Sequence, residues 1–214
     1  MAFAVSRCAL GWLIALAAWP QAAALHEVPR AVEKRYNSVR SLTADFEESV
    51  SYGGRNRRTE SGTLYLLRPR KMRWEYARPA GKLFVSDGKM FYLFSPNSNT
   101  VQKIAPRQAQ DLRAPLAFLL GRLDFAKEFG KLTLRATTEG VEVTADARSD
   151  EEVFARVLFT IAPRTHQIRR IVVSGQDGLL TEFVFSGEVV NPRLDAGLFR
   201  FAAPPGAEVV EGAR

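Results

Sequence analysis

The chain has 214 residues, with 30 Lys and Arg against 23 Asp and Glu for a net charge of +7, and it holds one cysteine and two histidines. One cysteine leaves no pair for an internal disulfide and too few thiolates for a cysteine-built metal site. The cationic excess points to acidic partners.

Residues 1–24, MAFAVSRCALGWLIALAAWPQAAA, have a single cation at Arg7, an apolar run from Cys8 to Trp19 and a small-residue end. That is the layout of a secretory signal peptide, and the run is shorter than the ~20 residues a bilayer requires. Ala22-Ala23-Ala24 offers the cleavage site, which sets a boundary between a signal peptide at 1–24 and one domain at 25–214; an uncleaved anchor is the alternative. Cys8 would leave with the signal, and no cysteine follows the apolar run to carry a lipid, so an exported, unanchored protein is expected. Export makes nucleic acid a poor partner.

From Glu27 to about Leu42, apolar Ala31, Val32, Tyr36, Val39 and Leu42 recur mostly at three and four residues, with charged residues between, which predicts an amphipathic helix with Pro29 in its first turn. TADFEESVSY then turns to alternation and predicts a strand running to Gly53-Gly54. Strands follow at Thr63 to Leu67, Lys71 to Tyr76 and Lys82 to Ser86. Asp87-Gly88 is read as a type I′ hairpin leading into Lys89 to Phe94, and Val101 to Ile104 makes a further short strand.

The segment PRQAQDLRAPLAFLLGRLDFAKEFG has leucines at helical spacing around Pro115 and predicts two short helices. From Lys131 strands return: LTLRAT, a Glu139-Gly140 turn, VEVTADA, an acidic loop at 150–152, VFARVLFTIAP, IRRIVVSG, an Asp177-Gly178 turn and LLTEFVFSGEVV. The tail AAPPGAEVVEGAR reads as a closing segment packed on the surface. Many antiparallel strands with helices at only two places imply a mainly β, α+β chain built on one large curved sheet or barrel.

Chemistry is sparse. No G-x-S-x-G, H-E-x-x-H or Walker sequence is present, and His26 and His166 fall beside the cleavage point and in a turn. Glu47-Glu48 are strand neighbours that point to opposite faces, and Asp150 to Glu152 is a solvated loop run. No catalytic residue, metal ligand or cofactor is expected.

Apolar strands supply the remaining signal. In MRWEYA, Met72, Trp74 and Tyr76 share one face while Arg73 and Glu75 share the other. Leu83-Phe84-Val85 and Met90 to Phe94 are apolar on both faces, as are 157–159 and 183–185. Either a packed core or a cavity for an apolar ligand meets that need. The cavity set is Met72, Trp74, Leu83, Val85, Phe91 and Leu93; a slip of one would exchange the last four for Phe84, Met90, Tyr92 and Phe94.

L-x-R-P-x-x-M-R-W-E-Y at 66–76, L-F-V-S-D-G-K at 83–89 and the tail at 194–210 resemble the periplasmic outer-membrane lipoprotein carrier proteins, the LolA family. The resemblance implies an unclosed antiparallel β half-barrel with a helical lid over a hydrophobic cavity. It also implies a monomeric periplasmic carrier of acylated lipoproteins, without enzymatic activity. Cargo would come from an ATP-driven release complex in the inner membrane and pass to an acceptor lipoprotein at the outer membrane. Arg68 matches the family arginine that bonds the lid backbone and is the expected latch. Met72 departs from the large apolar residue many relatives have there, so claims about a protruding aromatic do not carry over.

A cluster of cations, Arg55, Arg57, Arg58, Arg68, Arg70, Lys71 and Arg73, would face an acidic patch of the delivery machinery, an anionic membrane surface, or solvent alone. The competing reading is a periplasmic lipid- or lipoprotein-binding sensor that regulates a membrane signalling protein.

Overall fold

The computed structural model describes residues 25–105 and 122–211, with all side chains in those ranges except those of 56 and 57. The signal-peptide reading and the helices expected around Pro115 lie outside the described residues, apart from the end of the second.

Helix α1 (Val28–Ser38) places Pro29 in its first turn and buries Val28, Pro29, Val32 and Tyr36. It stops short of the expected Leu42, because Val39 is already extended and Ser41 opens strand β1 (Ser41–Tyr52). Two long ladders hold β1. On one side Leu42 faces Leu66 of β2 (Arg55–Leu67), and on the other Phe46 faces Phe185 of β11 (Leu179–Val190). Strand β2 begins directly after the Gly53-Gly54 turn and not at Thr63: RNRRTESG lacks alternation, yet its backbone pairs with β1, with one register shift opposite Val50 and Ser51.

The sheet continues through β3 (Lys71–Arg78), β4 (Leu83–Asp87), β5 (Phe91–Ser95) and β6 (Thr100–Ile104). After the single-turn α2 (Phe125–Glu128) come β7 (Leu132–Ala136), β8 (Val141–Asp146), β9 (Phe154–Ile161) and β10 (Ile168–Gly175). A 3₁₀ turn at Ala196–Phe199 precedes β12 (Glu208–Glu211), which pairs in parallel with β6. The tail therefore ends as a strand and does not simply lie on the surface. All twelve strands form one sheet, in the order β12-β6-β5-β4-β3-β2-β1-β11-β10-β9-β8-β7, and its two outer strands are far apart in that order. The sheet is unclosed.

Curvature follows from one pair of rings. Strands β3 and β11 are three steps apart, a separation of roughly 14 Å on a flat sheet. Yet Trp74 of β3 and Phe183 of β11 have ring centroids 5.5 Å apart. The sheet must curl towards that face, and α1 fills the curl, since Val32 and Tyr36 belong to the same buried cluster as Trp74, Phe84, Phe159 and Phe183. Gly62 allows β3 to come close: a Cβ there would lie 2.0 Å from the Glu75 carbonyl oxygen, at a shift of register.

The β4–β5 turn corrects one expectation. Ser86 faces Phe91, so Gly88 and Lys89 are the two central residues, and a positive φ of 98° at Gly88 alone is the II′ pattern, not I′. Asp87 Oδ1 accepts from the backbone N–H groups of Lys89 and Met90 at 2.7 and 2.8 Å and holds the turn.

Candidate functional site: the aromatic inner face

A two-residue turn pairs residues whose numbers differ in parity, so Phe84 faces Leu93 and Val85 faces Tyr92. Carried to β3, Trp74 faces Phe84 and Met72 faces Ser86. Met72, Trp74, Phe91 and Leu93 therefore share the inner face with Phe84, while Leu83 and Val85 share the outer face with Tyr92 and Phe94. The expected cavity set mixed the two faces, and so did its one-residue alternative, because both gave β4 and β5 the same parity. Odd positions of β4 align with even positions of β5.

The outer apolar residues have their own cover. Val85, Phe94, Val101 and Phe199 are all buried but stand apart from the main cluster. The tail crosses the outside of β3 and β4 there: Phe199 packs inward, Phe201 stacks on Tyr92 at 4.8 Å, and Arg73 Nη1 donates to the Leu198 carbonyl at 3.3 Å. This accounts for strands that are apolar on both sides.

On the inner face, Trp74 is the centre of a ring cluster, with Phe46 at 4.6 Å edge-on, Phe183 at 5.5 Å and Phe185 at 6.2 Å. Met72, Trp74 and Phe84 are buried, and Phe91 and Leu93 are partly exposed. Beside α1 a narrow recess, partly open to solvent, is lined by Tyr36, Leu42, Ala44, Ile168, Phe185 and Glu188.

Helix α1 is tied down at its C-terminal end. Arg68 Nη2 donates to the Tyr36 carbonyl oxygen at 3.1 Å, and partial burial lowers the guanidinium's pKa from its ordinary value. The Tyr36 hydroxyl donates to Glu188 Oε2 at 2.8 Å and accepts from the Ile168 N–H at 2.9 Å, while Arg35 pairs with the other Glu188 oxygen. Burial, then the Glu188 charge, pushes the Tyr36 hydroxyl well above its ordinary value. Asn37 donates to and accepts from the backbone of Leu123 at 2.8 Å each way, and Glu33 accepts from the Phe125 N–H at 2.8 Å. These side chains clamp α1 to the chain entering α2.

The far end of the inner face carries buried charge. Glu48 faces Glu60 across β1 and β2, and both are buried. Tyr76 donates to Glu48 at 2.8 Å, Lys82 pairs with Glu60 while lying over the Tyr76 ring, and Arg58 approaches Glu60 at 3.3 Å. Alternation separates Glu47 from Glu48 as expected; the burial of Glu48 has no sequence signal, since its partners come from other strands. The same holds for Tyr36 and Glu188, whose positions differ by 152.

A family profile described as outer membrane lipoprotein carrier protein LolA matches residues 37–202. The outer-membrane lipoprotein carrier protein of Dechloromonas aromatica (strain RCB) is 32% identical over 177 residues, covering 81% of this chain and 82% of that protein. Its counterpart in Bordetella avium (strain 197N) is 33% identical over 175 residues, with 81% and 82% covered. Among solved structures, an uncharacterized conserved protein from Thermus thermophilus shares the fold at a TM-score of 0.52 and 17% identity, covering 87% of this chain and 98% of that one.

Proposed function

This chain belongs to the outer membrane lipoprotein carrier protein family, and on that premise we propose that its inner face takes up the acyl chains of lipoproteins leaving the inner membrane and delivers them to an acceptor at the outer membrane. The family is one of periplasmic carriers and not of enzymes. The observation that carries the reading is the aromatic face shared by both halves of the sheet, with α1 seated on it by a few polar ties. Residues 1–24 would be the signal peptide and 25–214 the carrier domain, working as a monomer with an ATP-driven release complex as donor.

A carrier must hold cargo and then let it go. Each buried CH₂ contributes about 0.8 kcal/mol, so roughly ten shielded methylenes would give on the order of 8 kcal/mol before ordering costs. An opposing term is needed, and the ties on α1 supply one: opening the inner face breaks hydrogen bonds to charged groups worth roughly 1.5–3 kcal/mol each. Arg68 is the latch in this reading. Met72, Trp74, Phe84, Phe91 and Leu93 line the acyl site.

The test incubates purified protein with spheroplasts and follows newly made lipoproteins. Wild type should release them in a soluble one-to-one complex, and Arg68→Leu should take up cargo but transfer it poorly to outer membranes. Normal transfer by Arg68→Leu would remove the latch. Binding of a hydrophobic dye without any release of lipoprotein would favour the sensor.

A further inference from the structure

The antiparallel ladders place the start of β1, the ends of β2 and β11, the start of β3, the end of β4 and the β9–β10 turn at one edge of the sheet. That edge is rich in cations. Arg40, Arg70, Lys89, Arg164 and Arg193 are exposed there, one from each connection, with exposed Arg169 at the start of β10. Arg40 and Arg193 are close through backbone ties, because the Arg40 N–H donates to Asn191 Oδ1 at 2.8 Å and the Ser41 hydroxyl to the Pro192 carbonyl at 2.6 Å. Arg70 sits at a φ of 62°, a region unfavourable for a side-chain-bearing residue, and its carbonyl oxygen accepts from the Ser86 hydroxyl at 2.7 Å.

None of these six cations forms an ion pair among the described residues, while Arg35, beside the same edge, is paired with Glu188. The carboxylates near this edge are mostly engaged: Glu188 with Arg35 and Tyr36, Asp87 with its own turn and Asp195 with the Gly197 N–H. Val189 and Val190 are exposed at the same edge, 52% and 40%, beside the cations.

We propose that this rim docks the protein on the anionic phospholipid headgroups of a membrane surface. Cations dispersed over five connections fit an extended plane of negative charge, to which each nearby Lys or Arg adds attraction and neighbouring apolar side chains add shallow insertion. A protein partner would instead call for a compact buried anchor, usually aromatic or Arg, ringed by drier contacts, and these six positions form no such pocket. The same edge holds the Arg68 tie to α1. Docking would therefore bring the end at which α1 is released against the lipid; this orientation rests on the carrier reading, whereas lipid binding itself does not.

The test is sedimentation of the cargo-free protein with vesicles of phosphatidylcholine alone or mixed with phosphatidylglycerol, at low and physiological salt. Binding to the anionic vesicles only, weakened by salt, is expected. R40E/R70E/K89E/R193E should lose more than about tenfold in partitioning. R55E/R78E/K127E/K131E, which reverses four exposed cations away from this edge, should bind as wild type does, with unfolding midpoints verifying that both variants fold. Equal partitioning onto both vesicle types, equal loss in the two variants, or no binding by wild type would overturn the proposal. Capture of the purified release complex by the rim without any vesicle binding would also overturn it and assign the rim to an acidic protein. Because no lipoprotein enters the assay, its failure would leave the carrier reading standing.

Discussion

Tyr36 concentrates three constraints in one residue: its hydroxyl serves Glu188 and the Ile168 N–H, and its carbonyl serves Arg68. The folded state holds the hydroxyl proton more tightly than the unfolded chain does, so this group costs no stability below its ordinary value of about 10. As pH rises through that value the unfolded chain loses the proton first, and stability falls. Urea unfolding at neutral pH and above pH 10 should show a loss in wild type that is much smaller in Tyr36→Phe, with the variant weaker by about 1–3 kcal/mol at neutral pH from the unpaired buried N–H. A variant with wild-type alkaline sensitivity would place the titrating group elsewhere. None of this was legible in the sequence, where Tyr36 is one apolar position among five in a helical pattern. Arg68 stood out only through the family resemblance, because an arginine before a proline at a strand end has no signature of its own.

At the scale of elements, alternation and turn residues foretold most strands, for each Gly and Asp-Gly pair near a reversal falls at an observed connection. What failed was pairing information. Strand β2 has 13 residues where its apolar end, Thr63 to Leu67, suggests a short strand, since β1 templates the polar part through its backbone. The faces of β4 and β5 were within reach: a two-residue turn fixes opposite parity, and applying it to the Asp87-Gly88 signal would have separated Val85 from Phe91. Neighbouring residues of β4 thus belong to different cores, and two alanine substitutions should tell them apart. Phe84→Ala should reduce binding of a hydrophobic dye or fatty acid at the inner face. Val85→Ala should cost about 2 kcal/mol in unfolding free energy and leave that binding unchanged. Dye binding altered equally by both would contradict the assignment of faces.

The whole molecule is a curled sheet with one core inside, around α1, and a smaller one outside, beneath the tail. Among the described residues no helix is long and apolar enough to cross a membrane. The tail matters out of proportion to its length, because β12 adds a strand beside β6 and Phe199 is 1% exposed over β3 and β4. Ending the chain at Asn191 should uncover Val85, Phe94 and Val101, which would appear as self-association in size-exclusion chromatography and a lower unfolding midpoint. An unchanged elution volume would mean that the outer core closes without the tail. The β1–β11 ladder, finally, sets a timetable. Strand β1 is made before every other strand of the sheet, and its β2 partner follows at once, but its other edge waits for residues 179–190. Until those emerge, Phe46 and Trp74 lack Phe183 and Phe185 and face whatever is nearby. A nascent chain stalled before Leu179 would therefore be the sticky, protease-sensitive species, and one extended past Val190 the first able to fold. The connectivity of the sheet thus delays folding until residues 179–190 have been made.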